Sequence, residues 1–600
     1  MCGIAGLVAP DGLPDCTDDL ARFDRALAHR GPNDRGEFRD PRVAFVHRRL
    51  SILDLSSAAR QPMTREGITI VYNGEVYNFR ELRRELGVAC TTESDTEVIL
   101  AAYRKWGSAC VGKFRGMFAF AIHDAAKRKV VLARDHLGIK PLYLARRDGT
   151  WMFASELKAI CAWSRFRSEV DPAAIASYLQ FLWIPGTATG LRDVRKLEPG
   201  TVVELDLARD TETETRYWRP EARERDVSRD ELAAELERAV KEQLVSDVPI
   251  GAFLSGGLDS SLVVALTGRS VHSYTVGYRA TDLAYDIVPD DMPWAQRAAK
   301  YLDVPLTPIE LSPNVVSVLP KVVDALDEPI GDPAALSSYL ICEAASERVM
   351  LSGVGADELF GGYPRQRAML YGSYYRALPV PLRSLVHRVV ETLPAAGTSS
   401  IAKLGRAGQK FVVAADRPPL HHYIAMESYL HTELEPPTLE GDPLHQAIAW
   451  DLMSYLPNLN LAYTDRTAMA HGVEVRVPFL DQRVVELALA LRSNELVHWY
   501  RGRLEGKWLL KKVAERWLPR NLVWRKKAGF GAPVRAWLRR DLTVMRRDLL
   551  PGVVDRGWID RSMLERLQTD FDTGRRDNAL PLWMLLSLEL WARRFLDNRA

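Results

Sequence analysis

Cys2 follows Met1 directly, and this position gives the residue a chemistry that an internal cysteine lacks. If the initiator methionine is removed, Cys2 carries a thiol and a free α-amine on the same residue. An α-amino group titrates near neutrality, with a pKa of about 8, so it can take the proton of the thiol without a further base. The residue type and position therefore predict an N-terminal nucleophile, although a lone cysteine near a start codon is commonly accidental.

A second stretch with chemical potential reads LSGGLDSS at residues 254–261, between a predicted strand and a predicted helix. Its two glycines allow close approach of the backbone, and the N-terminus of the helix offers free N–H groups. Together these features suit a chain of phosphates. The spacing G-x-x-x-x-G-K-[ST] is absent, which excludes the P-loop type of nucleotide site.

Further polar segments accompany each of these two features in a fixed order. Behind Cys2 come RGP at 30–32, HRRLSI at 47–52, YNGEVYN at 72–78 and SDTE at 94–97. Behind the Gly-rich loop come LSGVGADELFGGY at 351–363, DRTAMAHGVEVRVPFLD at 465–481 and KKAGFGAP at 526–533. Each segment alone has an ordinary structural explanation, such as a hairpin turn at Asn73 and Gly74. Their joint occurrence in one chain favours a catalytic or binding role over these structural explanations.

The elements that must position these segments form two regions with different patterns. Residues 2–207 alternate short strand-like runs with Gly, Asn and Asp turns, which predicts a sheet-rich α+β domain. Residues 208–228 are charged and lack apolar periodicity, so we expect a linker there. Over residues 229–600 strands and helices first alternate, which implies a doubly wound parallel sheet, and the pattern then becomes mostly helical.

The composition of the chain argues against several classes of protein, namely nucleic-acid-binding, membrane-associated and disulfide-rich proteins. The chain has 600 residues, of which 47% are hydrophobic and 26% charged, so it can bury more than one core. Its net charge of +2 gives no support for a nucleic-acid or membrane partner. Six scattered cysteines and the lack of a signal-peptide pattern predict a cytoplasmic protein without a disulfide framework or a zinc site.

The segments behind Cys2 resemble the glutaminase domain of class II glutamine amidotransferases, which has the N-terminal-nucleophile (Ntn) sandwich fold. The resemblance implies that Cys2 attacks the side-chain amide of glutamine, forms a thioester and releases ammonia. Asn73 and the backbone N–H of Gly74 would form the oxyanion hole.

The same resemblance implies how glutamine is held. Arg49 would bind the α-carboxylate as a two-pronged donor, which a lysine could not imitate. Glu75 and Asp95 would receive the α-ammonium group, and residues 30–32 would shape the loop over the site.

The loop at 254–261 resembles that of ATP pyrophosphatases, and together the segments resemble glutamine-hydrolysing asparagine synthetases over nearly the whole chain. This resemblance implies ATP and Mg²⁺, a carboxylate acceptor and a homodimer. Asp259 and Asp357 would hold Mg²⁺, and Lys527 would neutralise charge on the reacting phosphates. The residues implied at the ATP site are Leu254, Ser255, Gly256, Gly257, Asp259, Ser260, Ser261, Ser352 and Gly353.

Val354 departs from the family pattern, because asparagine synthetases usually carry an acidic residue there. The resemblance implies aspartate as the acceptor, and this departure leaves open another carboxylate, such as a sugar uronate or a secondary-metabolite acid. A β-lactam-forming or sulfur-transferring relative and a non-catalytic glutamine- or nucleotide-binding homologue are weaker alternatives. The sequence assigns no role to Asp465, Arg466, Glu474 and Arg476.

Overall fold

The computed structural model describes residues 2–268, 270–283, 290–311, 314–394, 399–430, 435–526 and 531–597. Twelve strands form the first part: β1 (Gly3–Val8), β2 (Asp34–Arg39), β3 (Val43–Arg49), β4 (Met63–Arg65), β5 (Ile68–Val76), β6 (Gly116–Asp124), β7 (Lys129–Arg134), β8 (Tyr143–Arg147), β9 (Thr150–Ala154), β10 (Val194–Lys196), β11 (Thr201–Asp206) and β12 (Thr211–Arg216). Its helices are α1 (Thr17–Ala26), α2 (Phe79–Leu86), α3 (Asp95–Trp106), α4 (Leu157–Cys161) and α5 (Pro172–Phe181).

These strands make two antiparallel sheets that stack face to face between helices. The strand orders are β10-β8-β9-β1-β3-β2 and β12-β11-β7-β6-β5-β4. Every residue of β1 is buried because both of its faces are covered. Ile4 and Val8 pack between the sheets, while Ala5 and Leu7 pack in the cluster that includes α1. The four layers confirm the predicted α+β Ntn sandwich.

A five-stranded parallel sheet and many helices form the second part. The sheet comprises β13 (Ile250–Phe253), β14 (His272–Tyr278), β15 (Leu306–Leu311), β16 (Val349–Leu351) and β17 (Glu474–Arg476), while β18 (Val497–Tyr500) and β19 (Arg503–Gly506) form a separate two-stranded hairpin. The helices up to residue 392 are α6 (Arg229–Glu242), α7 (Leu258–Leu266), α8 (Ala280–Leu283), α9 (Met292–Leu302), α10 (Val315–Leu326), α11 (Ala334–Ala344), α12 (Ala356–Leu359), α13 (Pro364–Arg376) and α14 (Val380–Thr392).

Helices dominate the rest of the chain, as predicted. They are α15 (Ser400–Val412), α16 (Pro419–Ala425), α17 (Pro443–Trp450), a π-helix (Asp451–Asn460), α18 (Leu461–Met469), α19 (Gln482–Ala490), α20 (Ser493–Leu496), α21 (Trp508–Ala514), α22 (Arg520–Val523), α23 (Val534–Arg540), α24 (Thr543–Asp555), α25 (Arg561–Asp572) and α26 (Ala579–Phe595). In the part of the chain that the structure describes, no helix has the length and apolar content needed to span a membrane.

The parallel sheet has the strand order β15-β14-β13-β16-β17. The chain runs outward from β13 to one edge and then crosses to the other side at β16. In such doubly wound sheets, ligands bind outside the carboxyl ends of the strands where the order reverses. This rule points to the loops after β13 and β16, which are the two Gly-rich segments found in the sequence.

The boundary between the two parts differs from the expected linker at residues 208–228. Thr211–Arg216 forms β12, an edge strand that pairs with β11 and has all six residues exposed. A strand with two solvated faces has no alternation of apolar and polar residues, so periodicity could not reveal it. The two parts also share one buried apolar cluster, which includes Tyr178 of α5 and Met584 of α26. The Tyr178 hydroxyl donates a 2.7 Å hydrogen bond to the carbonyl of Met584.

Two candidate active sites and the ion pairs between them

Cys2 lies at the start of β1, between the two sheets, and only 7% of its surface is exposed. Its main-chain nitrogen donates a 2.9 Å hydrogen bond to Oδ1 of Asn73. Nε of Arg30 donates to the carbonyl of Cys2 at 3.1 Å, which fixes this end of the strand. Burial raises the pKa of the Cys2 thiol, so the residue needs a nearby base to become a nucleophile.

Asn73 and Gly74 lie in β5 of the opposite sheet, facing the start of β1. Asn73 is fully buried, and its Nδ2 finds no acceptor among the described residues. Gly74 has φ +153°, and a Cβ there would lie 2.1 Å from the carbonyl oxygen of Met117. An unpaired buried donor lowers the stability of the fold by about 1–3 kcal/mol. Unpaired buried donors are expected in an oxyanion hole, where they bind the negative charge that develops on the substrate.

Arg49 closes β3 and holds the loop that follows it. Its guanidinium donates to the carbonyls of Asp54 and Ser56, the latter at 2.9 Å. Arg49 also lowers the pKa of the Cys2 thiol, against the larger effect of burial. The charge of Arg49 therefore acts on the region around Cys2.

Asp95 opens α3 and is buried against β5. Its Oδ2 accepts hydrogen bonds from the Tyr72 hydroxyl at 2.7 Å and from the backbone N–H of Val76 at 2.9 Å. Burial raises the pKa of Asp95. Burial and the charge of Glu474 raise the pKa of Glu75 still further. Asp95, Glu75 and Glu474 thus form a group of buried acidic side chains near Cys2. Such a group is what the binding of an ammonium group would require.

A first group of ion pairs joins the two parts of the chain beside Cys2. Nη1 of Arg30 lies 2.7 Å from Oε1 of Glu156 and 2.9 Å from Oδ2 of Asp465. Nζ of Lys140 lies 3.4 Å from Oδ1 of Asp465. All four side chains are buried, and breaking such a pair costs about 3–5 kcal/mol. Asp465 of the second part therefore forms buried ion pairs with Arg30 and Lys140 of the first part.

A second group involves Arg476, which lies 2.6 Å from Oε1 of Glu474 through Nε and 3.8 Å from Oε1 of Glu75 through Nη2. Burial alone would raise the pKa of Glu474, but Arg476 and Lys140 hold it at about 2. The segment 465–481, whose role the sequence left open, therefore reaches the carboxylates around Cys2.

The segment 254–261 lies where the fold predicts a ligand, because it forms the turn after β13 and the first turn of α7. Gly256 has φ +66°, and a Cβ there would lie 2.2 Å from the carbonyl carbon of Trp294. The hydroxyls of Ser255 and Ser260 lie 3.1 Å apart across the turn. Gly257 caps α7, whose first N–H groups have no partner within the helix. The loop borders a pocket of about 460 Å³.

The second Gly-rich loop contacts the first. A Cβ on Gly353 would lie 2.9 Å from Cβ of Asp259 and from the nitrogen of Ser260. The pocket wall includes five of the residues implied for ATP and metal, namely Ser255, Gly257, Asp259, Ser260 and Asp357. The implied residues Leu254, Gly256, Ser261, Ser352 and Gly353 shape these loops without lining the pocket. Lys527 lies outside the described residues.

Lys507 is a buried cation that the sequence analysis missed. Its Nζ lies 2.6–2.7 Å from both carboxylate oxygens of Asp259 and 2.6 Å from Oδ1 of Asp357. Burial alone would lower the pKa of Lys507, but these two carboxylates raise it, so the side chain is charged. Its φ of +57° is a strained conformation for a non-glycine residue, typical of functional sites. The surrounding EGKW sequence carries no glycine-rich signature that could have identified it.

Val354 is half-buried against the apolar core, so its side chain brings no charge to the second loop. A carboxylate is nevertheless present four residues later. Oε1 of buried Glu358 accepts hydrogen bonds from the Tyr363 hydroxyl and from Nδ2 of Asn460, each at 2.7 Å. Burial raises the pKa of Glu358.

A small cavity of about 20 Å³ lies between the two parts of the chain. Arg134 and Tyr143 of the first part line it, together with Asp465 and Arg466 of the second. Nε and Nη1 of Arg466 find no acceptor among the described residues. Burial and the nearby cations lower the pKa of Arg466 to about 9. A cavity of this size admits one molecule the size of water.

Comparison with known families agrees with this two-site architecture. Residues 231–593 match the asparagine synthase family, and residues 1–218 match a glutamine amidotransferase domain. The chain is 31% identical to asparagine synthetase [glutamine-hydrolyzing] 1 of Bacillus subtilis, with 100% of this chain and 98% of that protein covered. It is 30% identical, with the same coverage, to a putative asparagine synthetase [glutamine-hydrolyzing] of Mycobacterium tuberculosis.

A third relative, asparagine synthetase [glutamine-hydrolyzing] 3 of Bacillus subtilis, is 31% identical over 88% of this chain and 87% of its own length. The matches extend over both sites and over the segment that joins them. The chain therefore belongs to the glutamine-hydrolysing asparagine synthetase family of amidotransferases.

Proposed function

We propose that this enzyme adenylates a carboxylate with ATP and converts it to an amide with ammonia taken from glutamine. The observation that carries the proposal is the pair of sites joined by buried ion pairs, one with a nucleophile and an unpaired buried amide, the other with a phosphate-sized pocket. The products are glutamate, AMP, pyrophosphate and the amide. The default acceptor is L-aspartate.

In the glutaminase step, Sγ of Cys2 attacks the side-chain carbonyl carbon of glutamine. The α-amine of Cys2 takes the thiol proton, and this proton leaves with ammonia when the carbon–nitrogen bond breaks. Nδ2 of Asn73 and the N–H of Gly74 stabilise the oxyanion. Water then hydrolyses the thioester to glutamate. Arg49 binds the α-carboxylate, and Glu75 and Asp95 bind the α-ammonium group.

In the ATP-dependent step, an oxygen of the acceptor carboxylate attacks the α-phosphorus, and pyrophosphate leaves. Lys507 stabilises the charge that develops on the phosphates. Asp259 and Asp357 supply carboxylate oxygens, the ligands that Mg²⁺ prefers, and Lys507 between them would turn toward the phosphates when the ion binds. When bound, the ion would screen the phosphate charges. Ammonia then attacks the acyl-adenylate, and AMP leaves.

Ammonia must cross between the sites as a neutral molecule, since ammonium has no lone pair. We place its route through the 20 Å³ cavity at Arg466. The unpaired Nε and Nη1 of Arg466 are hydrogen-bond donors, so they can donate to the lone pair of NH₃. Their positive charge repels NH₄⁺. Buried Arg134 and Lys196, whose pKa values burial lowers to about 10 and about 8, add to the same positive potential.

Replacing Ala462, on the wall of this cavity, with phenylalanine should uncouple the two reactions. A phenyl ring exceeds the available space in a close-packed interior, so we expect the amide formed per glutamate to fall at least about tenfold. Glutamate release itself should continue. Amide and glutamate are measured together by mass spectrometry with ¹⁵N-amide glutamine. Ala462→Ser, which adds one atom, is the control, and unchanged coupling in Ala462→Phe would place the route elsewhere.

The acceptor is tested by incubating the enzyme with ATP, Mg²⁺, ¹⁵N-amide glutamine and L-aspartate. Labelled asparagine with an equal amount of pyrophosphate would support aspartate. Glutamate without asparagine or pyrophosphate would reject it and favour another carboxylate, such as a sugar uronate or a secondary-metabolite acid. The apolar side chain of Val354 favours this second candidate, because it cannot bind the ammonium group of an amino acid or take a proton.

A further inference from the structure

Exposed apolar side chains concentrate in one short segment. Among the described residues, nine of the fourteen large apolar side chains that are exposed fall between residues 374 and 413. They are Tyr374, Leu378, Val380, Leu382, Leu385, Val389, Ile401, Leu404 and Val413. Single exposed apolar residues are ordinary on a protein surface, whereas a cluster of them marks a site of interaction.

The cluster follows the outer faces of α14 and α15. Leu382, Leu385 and Val389 are spaced by three and four residues, so they share one face of α14. Ile401 and Leu404 share a face of α15 in the same way. Exposure of these five side chains ranges from 48% to 64%, and α14 buries none of its residues. Both helices therefore present an apolar stripe to solvent.

The two helices also pack against each other, beside these exposed side chains. A Cβ on Gly405 would lie 2.3 Å from the carbonyl oxygen of Pro394, and one on Gly408 would lie 3.0 Å from Cγ1 of Val390. This close approach of α15 to the end of α14 makes a helical hairpin. The contacts at Gly405 and Gly408 hold the hairpin together, while Ile401 and Leu404 of the same helix stay exposed.

The same segment is strongly basic. Residues 374–413 include six Arg or Lys and one Glu, a charge of +5, whereas the whole chain has +2. Arg383 pairs with Asp416 and Arg406 with Asp577. Arg388 and Lys403 are exposed, and neither forms an ion pair in the part of the chain that the structure describes. The balanced charge of the complete sequence conceals this local excess.

We propose that the hairpin of α14 and α15 docks on an anionic lipid surface. Aliphatic stripes flanked by Arg and Lys are the pattern of helices that lie in the interface of a bilayer, where anionic headgroups attract basic residues. A second copy of the chain is a poor occupant, because the exposed Arg388 and Lys403 of each copy, which form no ion pair among the described residues, would repel those of the other. This inference is independent of the acceptor proposed above.

Docking would bring the phosphate pocket near the bilayer. Pro364 and Arg367, at the start of α13, line that pocket, and Tyr374 lies near the end of the same helix. At 1.5 Å per residue, the ten residues between Pro364 and Tyr374 span about 15 Å. The pocket and the apolar cluster would therefore lie at the two ends of one helix, about 15 Å apart.

The test is co-sedimentation of the full chain with vesicles of phosphatidylcholine, alone or with an equal amount of phosphatidylglycerol. We expect binding to the anionic vesicles, weakening as salt shortens the Debye length. Leu385→Glu with Leu404→Glu should reduce the partition coefficient by about tenfold or more per residue, since each buried leucine contributes about that factor. Val316→Glu with Val544→Glu, at exposed apolar positions elsewhere, changes the charge equally and should bind as the wild type does.

The hairpin lies outside the glutaminase site, so glutaminase activity is measured for each variant to show that the variant is folded. Three results would overturn the proposal. The first is no binding to anionic vesicles at low salt. The second is an equal loss of binding in the control pair. The third is a dimeric wild type, measured by light scattering, that Leu385→Glu with Leu404→Glu converts to a monomer, since the surface would then belong to a second copy.

Discussion

Replacing Cys2 with alanine should abolish amide synthesis from glutamine and leave synthesis from ammonium salts intact. Removal of a catalytic nucleophile lowers rates by about 10⁴-fold or more, and here no other thiol could substitute. Cys2 lies between the sheets of the first part, whereas the phosphate pocket is built by the second. Product formation is therefore measured with each nitrogen source at saturating ATP.

The control for this variant is Cys16→Ala, another buried cysteine of the same part of the chain. It should retain both activities. Equal losses of the glutamine-driven and ammonia-driven reactions in Cys2→Ala would contradict two separable sites. Retained glutamine hydrolysis would contradict the role of Cys2 as nucleophile.

Replacing Lys507 with methionine should give the complementary result, with loss of synthesis from both nitrogen sources. Methionine keeps most of the side-chain length but leaves Asp259 and Asp357 without the ammonium group that lies between them. Loss of one fixed charge that stabilises a transition state costs about 10²–10³ in rate. Glutamine hydrolysis should continue. ATP-dependent pyrophosphate release and glutamate formation are measured separately on the same preparation.

Lys512→Met is the matched control for Lys507. Lys512 belongs to α21, the helix that Lys507 caps, and its Nζ lies 4.9 Å from the centre of the Trp508 ring, with no carboxylate partner among the described residues. It should keep nearly full activity. A Lys507→Met enzyme that releases pyrophosphate at the rate of the control would show that Lys507 only supports the fold. A thermal melt distinguishes lost chemistry from lost structure.

Backbone positions with no room for a side chain could be predicted from the sequence, because only glycine can occupy them. Gly74 and Gly256 both lack room for a Cβ against neighbouring backbone. Buried strands such as β1 were equally clear, since a continuous apolar run has few other uses. The exposed strand β12 was missed, because its residues face water on both sides.

Long-range partners could not be predicted in the same way. Arg30 and Asp465 are separated by 435 positions, and nothing in either local sequence specifies the other. Lys507 was missed for the same reason, because its partners Asp259 and Asp357 approach it only when β13, β16 and the hairpin of β18 and β19 are assembled. A single sequence shows which residues have chemical potential, while the fold decides which of them meet.

The ion pairs of Arg30, Lys140 and Asp465 limit how this enzyme could evolve or be divided. A glutaminase half transplanted onto another synthetase would bring two buried cations to a surface that lacks their carboxylate. The mismatch of one such charge costs several kcal/mol, a large share of the stability of a domain. The stability of each half therefore depends on the other, and we expect new acceptors to arise more readily by change around Val354 than by exchange of domains.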